Sequence, residues 1–106
     1  MSQILTGMRV VEGSAFVAVP LAGMTLAQMG AEVIRFDRIG GGLDAHRWPV
    51  AENGDSLFWA GMNKGKKSVA VDMKSPEGKE LITRIVTAPG EDAGLFITNL
   101  RVRGWM

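Results

Sequence analysis

A chain of 106 residues has room for one modest hydrophobic core and not two. With 46% apolar and 22% charged residues it has the balance of a folded globular domain, which excludes the charge-rich profile of a disordered one. A net charge of +1 from 12 basic and 11 acidic residues offers no footprint for a nucleic acid backbone, and zero cysteines exclude disulfides, thiolate nucleophiles and cysteine metal sites. The absence of cysteine fits a reducing, cytoplasmic setting. The apolar stretch 15–26 is too short to span a bilayer and contains Pro20 and Gly23, and no basic-then-apolar leader opens the chain, so no membrane partner is expected.

In chain order, Met8-Arg9-Val10-Val11-Glu12 is rich in β-branched residues and is closed by Gly13-Ser14, which predicts a first strand and a turn. Over 20–29, Leu21, Met24, Leu26 and Met29 recur at helical spacing, with Pro20 in the first turn and Gly30 placed as a C-cap. Residues 31–37 carry Val33, Ile34 and Phe36 and predict a strand buried on both faces, as parallel strands are. A long polar stretch runs from Gly40-Gly41-Gly42 to Asp55, with Trp48-Pro49 as its expected anchor, and reads as a loop near a site. A short helix is expected over 56–62 and a third strand over 67–72. Ser75-Pro76-Glu77 then supplies an N-cap, a proline in the first turn and an acid where the macrodipole favours it, opening a helix that should end near Ala88-Pro89-Gly90. Gly94-Leu95-Phe96-Ile97-Thr98 is a fourth strand. Alternating strands and helices predict an α/β fold, a parallel sheet with flanking helices, as one unit over 1–106. Trp105-Met106 ends the chain without a polar tail and reads as a cut rather than a finished terminus.

Ligands of open parallel sheets gather at the carboxyl ends of strands, here the surroundings of 13–18, 37–42, 72–74 and 99–103. A dinucleotide fingerprint is not met, because only Gly13 follows the first strand and the triple glycine follows the second. Arg38, Lys64, Lys66, Lys67, Arg101 and Arg103 offer charges for phosphate or carboxylate but read first as a solvated edge, except that Arg38 and Arg101, at carboxyl ends of strands, read equally as ligand contacts. His46, the one histidine, reads as a surface or loop contact, so neither a multi-histidine metal site nor a histidine triad is expected. Asp37, Asp44, Asp55, Asp72 and Asp92 read as turn, cap or surface residues, and Trp48 and Trp59 either stack on a ligand ring or are buried.

Four ordered segments carry a resemblance: Gly7-Met8-Arg9-Val10-Val11-Glu12; Leu26-Ala27-Gln28-Met29-Gly30-Ala31-Glu32-Val33-Ile34-Arg35-Phe36-Asp37; Asn63-Lys64-Gly65-Lys66-Lys67-Ser68 running on to Asp72-Met73-Lys74-Ser75-Pro76-Glu77-Gly78; and Thr98-Asn99-Leu100-Arg101. Together they resemble the family III coenzyme A transferases. The resemblance implies a Rossmann-like N-terminal region of a larger enzyme, which moves coenzyme A between carboxylates through an aspartyl mixed anhydride and an enzyme thioester. It implies an acyl-CoA substrate, no prosthetic group and an interlocked homodimer. By position it implies coenzyme A contacts from Phe16, Val17, Ala18, Arg38, Val71, Lys74, Asn99 and Arg101. The family's nucleophilic aspartate has no counterpart in these residues, so no catalytic residue is assigned. Glu12-Gly13-Ser14-Ala15-Phe16-Val17-Ala18, Arg47-Trp48-Pro49 and Ser56-Leu57-Phe58-Trp59 resemble the branch in which the thioester moves between the two carboxylates of mesaconate. Two departures stand out: Glu12 replaces a frequent aspartate, and Val102-Arg103-Gly104 replaces the proline-glycine after the arginine. The alternative from another class is a non-catalytic nucleotide-binding or interaction module.

Overall fold

Val10, Val11, Val33 and Phe36 are all buried, which places the first two expected strands side by side at the centre of the molecule. The computed structural model describes residues 4–13, 18–40, 46–90 and 92–98. Its elements run β1 (Met8–Gly13), α1 (Ala18–Gln28), β2 (Glu32–Asp37), α2 (Leu57–Met62), β3 (Lys67–Ala70), α3 (Pro76–Thr87) and β4 (Asp92–Thr98). The strands form one four-stranded sheet in the order β3-β2-β1-β4. All its pairings are parallel, with Val11 opposite Ile34 and Phe96, and Phe36 opposite Val69.

Successive side chains of a strand face opposite ways, so each central strand feeds two cores. Val11, Phe36 and Val71 join Ile82 of α3 on one face. On the other, Val10 and Val33 pack with Ala31 and with Leu26 and Ala27 of α1. Right-handed crossovers explain the two layers: the chain leaves β1 in one direction through β2 and β3, then returns past it to β4, which puts α1 and α3 on opposite faces. This is the parallel α/β architecture expected from the alternation of elements.

Local signals account for the element ends. Gly30 has φ 106°. Its N–H donates to the Ala27 carbonyl and that of Ala31 to Leu26, closing α1 in a Schellman motif as the glycine suggests. The Ser75 hydroxyl accepts from the Gly78 N–H at 2.9 Å, so the predicted N-cap opens α3. Gly78 is required for space, since a Cβ there would lie 2.0 Å from the Asp72 carbonyl oxygen.

Three expectations need correction. The third strand stops at Ala70, because Asp72 turns the chain by accepting from the Lys74 N–H through Oδ1 and from the Ser75 hydroxyl through its carbonyl. The fourth begins at Asp92, two residues before the expected start, and absorbs Gly94 at φ 92° where the register with β1 shifts. Trp48 does not anchor its loop, being 75% exposed beside a cis Trp48–Pro49 bond. The loop is held instead by main-chain bonds from Leu57 N to Pro49 O and from Ala51 N to Asp55 O, by the Ser56 hydroxyl donating to Arg47 O, and by the Arg47 guanidinium over the Phe58 ring.

Candidate functional site

The direction of winding reverses between β1 and β4, and the crevice outside the carboxyl ends of strands at such a reversal is where open α/β sheets take ligands. Arg38 directly follows β2 and is exposed. Lys74, also exposed, lies in the turn after the neighbouring β3. Two basic side chains thus stand on adjacent strand ends along one edge, a disposition suited to phosphate groups. Ala18 is exposed at the start of α1, beside the end of β1. Val71 is 4% exposed and its side chain belongs to the α3-side core, so it can meet a ligand only through its main chain. Phe16, Val17, Asn99, Arg101 and Arg103, with Asp44, lie outside the described residues.

The other predicted cations separate. Lys64 is exposed between α2 and β3. Lys67 reaches back to Glu32 at the start of β2, away from the carboxyl edge. Lys66 is neither a solvated edge residue nor a phosphate ligand: its side chain is 2% exposed and all its donors are used. The ammonium donates to Glu12 Oε2 at 2.8 Å, to the Pro20 carbonyl at 2.9 Å and to Asn63 Oδ1 at 2.8 Å.

Lys66 belongs to a buried charge network that the sequence did not reveal. Glu12 and Arg35 are opposite one another in the β1–β2 register and share the α1 face of the sheet. Arg35 donates from Nη1 to Asn63 Oδ1 at 2.7 Å and from Nε to Asp37 Oδ1 at 3.2 Å. Its guanidinium lies 5.6 Å from the centre of the Trp59 ring, a cation–π contact that partly buries the indole. Asn63 ends α2, and its Nδ2 donates to the Trp59 carbonyl, so the amide oxygen faces both cations. Two carboxylates and two cations balance in charge around one amide oxygen. That balance is what permits such burial, since an unpaired charge there would lose several kcal/mol of solvation.

Asp37 is therefore buried, not a turn, cap or surface residue. Gly23 makes room for the network: a Cβ on α1 at that point would lie 1.8 Å from Glu12 Oε1. The available signal was parity. Glu12 and Arg35 alternate with Val11 and Ile34 inside strands covered on both faces, where a charged side chain must find a partner.

Among the described residues no group of three or more His, Cys, Asp or Glu is placed to hold a metal ion, and no helix is long and apolar enough to cross a membrane. Residues 5–105 match the sequence profile of CoA-transferase family III. The chain belongs to CoA-transferase family III. Among family members, it is 67% identical to the 2-methylfumaryl-CoA isomerase of Chloroflexus aurantiacus, over 100% of this chain and 26% of that protein. It is 39% identical to the succinyl-CoA–D-citramalate CoA-transferase of the same organism, over 77% of this chain and 21% of that one. A crystal structure of a CaiB/BaiF family protein from Brucella suis superposes with a TM-score of 0.80 at 31% identity, covering 96% of this chain and 27% of the other. This family III chain spans about a quarter of the length of the relatives it matches.

Proposed function

We propose that the chain is the N-terminal coenzyme A-binding region, Rossmann-like in character, of an enzyme that moves coenzyme A between carboxylates. Its reaction is the 2-methylfumaryl-CoA isomerase type, in which the thioester passes from one carboxylate of mesaconate to the other. The observation that carries this reading is the 67% identity along the whole chain to a protein of that name. Arg38 and Lys74 meet phosphate oxygens of the nucleotide end. Ala18, with Phe16 and Val17, lines the pantetheine and thioester, and Asn99 and Arg101 contribute from beyond β4.

The acyl-transfer step needs a carboxylate nucleophile, whose mixed anhydride is reactive enough to be reopened by the coenzyme A thiolate. None of the buried or turn-forming carboxylates among the described residues is assigned that role. Glu12 and Asp37 are committed to Lys66 and Arg35, and Asp72 shapes the turn before α3. The enzyme works as an interlocked homodimer in the cytoplasm on an acyl-CoA substrate, without a prosthetic group.

Two measurements test the reading. Arg38→Ala and Lys74→Ala are each expected to weaken coenzyme A binding about tenfold, the order of one charge-assisted phosphate contact. Unchanged affinity in both would remove the proposed phosphate edge. For the reaction, this chain replaces the matching quarter of the Chloroflexus enzyme, and interconversion of the two mesaconyl-CoA regioisomers is followed. A folded chimera that binds coenzyme A but does not interconvert them refutes the isomerase assignment.

A further inference from the structure

We propose that Lys66 is a positioning residue for the coenzyme A site, setting the separation between the end of β1 and the first turn of α1. The inference rests on the coenzyme A reading above and adds a residue that touches no ligand. Its observation is the reach of one ammonium. Lys66 immediately precedes β3, yet its Nζ bonds Glu12, the penultimate residue of β1, at 2.8 Å and the Pro20 carbonyl in the first turn of α1 at 2.9 Å. Those two points flank the β1–α1 connection, the place where the first crossover of such a sheet meets its ligand. A third bond to Asn63 Oδ1 fixes the ammonium from the side of α2, and burial keeps water from competing for any of the three.

The arrangement divides the site into two supports. Lys66 bonds both flanks of the β1–α1 connection directly, whereas it reaches Arg38 on the end of β2 only through Asn63, Arg35 and Asp37. With Arg38 and Lys74 gripping the nucleotide end and Ala18 lining the pantetheine, as proposed above, loss of Lys66 falls first on the pantetheine end and reaches the nucleotide end only through that longer chain of bonds. A residue that only stabilised the fold would affect both ends alike.

The test compares intact coenzyme A with adenosine 3′,5′-bisphosphate, the nucleotide end alone, by titration calorimetry on the intact protein. Lys66→Met leaves the Glu12 carboxylate buried without its cation and can fail to fold, so the paired variant Glu12→Gln/Lys66→Met is measured beside it. Circular dichroism checks the fold of both. The expected result is a loss of about tenfold or more in affinity for coenzyme A, with affinity for the bisphosphate within about twofold of the parent, as a weakened contact of about 1.4 kcal/mol at one end requires. Equal losses for both ligands, or none for either, overturn the proposal. If the parent binds neither ligand, the coenzyme A reading itself fails and the role of Lys66 falls with it, an outcome distinct from a parent that binds and a variant that matches it.

Discussion

The two ends of the sheet use the same residue types to opposite effect. Near the carboxyl edge, Glu12, Lys66, Arg35 and Asp37 form a network whose side chains are at most 9% exposed. Toward the amino edge, Arg9 and Lys67 share Glu32, whose side chain is 40% exposed. Coulomb attraction between like pairs of groups is much stronger in the dry network, and so is the penalty for leaving one partner alone, whereas at the surface water and salt take up most of the difference. The buried cluster thus ties β1, β2, α1 and the end of α2 together, and the exposed cluster is a modest fastening.

The largest break in that contrast is Lys66→Met, expected to lose about 3–5 kcal/mol in urea denaturation because it strands a buried carboxylate. Replacing Glu12 and Lys66 together should recover most of the loss, and a double mutant as unstable as the single would mean that packing, not charge, holds the site. Gly23→Ala comes next and carries a test of sign. In a helix interior alanine is favoured over glycine by about 1 kcal/mol. Here its Cβ would fall 1.8 Å from Glu12 Oε1. We expect a net destabilisation of about 1–3 kcal/mol as α1 is pushed off the sheet, and a stabilised variant would show that α1 shifts freely.

How much of this was legible beforehand depends on the range of each signal. The Ser75 cap, the Gly30 terminus and the apolar strands were readable because each is written within a few neighbouring residues. So was Arg38 as a strand-end cation, since position after a strand is also local, whereas Lys74 is singled out only through the family resemblance. Lys66 reads with its basic neighbours as a solvated edge or a phosphate contact, because the carboxylate it pairs with lies 54 residues away in sequence and is brought close only by the fold. Trp48 was misjudged for the complementary reason: hydrophobicity favours burial, but a loop closed by its own backbone bonds left the indole outside. The family itself was legible from ordered segments, while the geometry of its buried charges was not.

At the exposed end the effects shrink. Arg9 does more than pair with Glu32: its guanidinium also donates to the Ala88 and Pro89 carbonyls just past the end of α3, at 3.0 and 3.1 Å. Arg9→Met should therefore lose about 1 kcal/mol, from the carbonyl bonds more than from the ion pair, and a loss as large as that of Lys66→Met would erase the distinction between the two ends.

Glu32→Gln gives the smallest effect and the clearest pH signature. The Lys67 hydrogen bond, opposed by partial burial and aided by Arg9, holds the Glu32 carboxyl below its ordinary value. A folded pKa below the unfolded one means that the stabilisation is fully present above the unfolded value, about 4.3. It is then lost as pH falls through the folded value, because the unfolded chain takes up the proton first. With 40% of the side chain exposed, the contribution at neutral pH amounts to a few tenths of a kcal/mol. The parent and Glu32→Gln should differ by that margin at pH 7 and converge as the pH falls below the folded value, as followed by urea midpoints at low salt. A difference that grows on acidification would reverse the assigned direction, and one that survives in 1 M salt would mean that Glu32 is shielded from solvent as the buried carboxylates are.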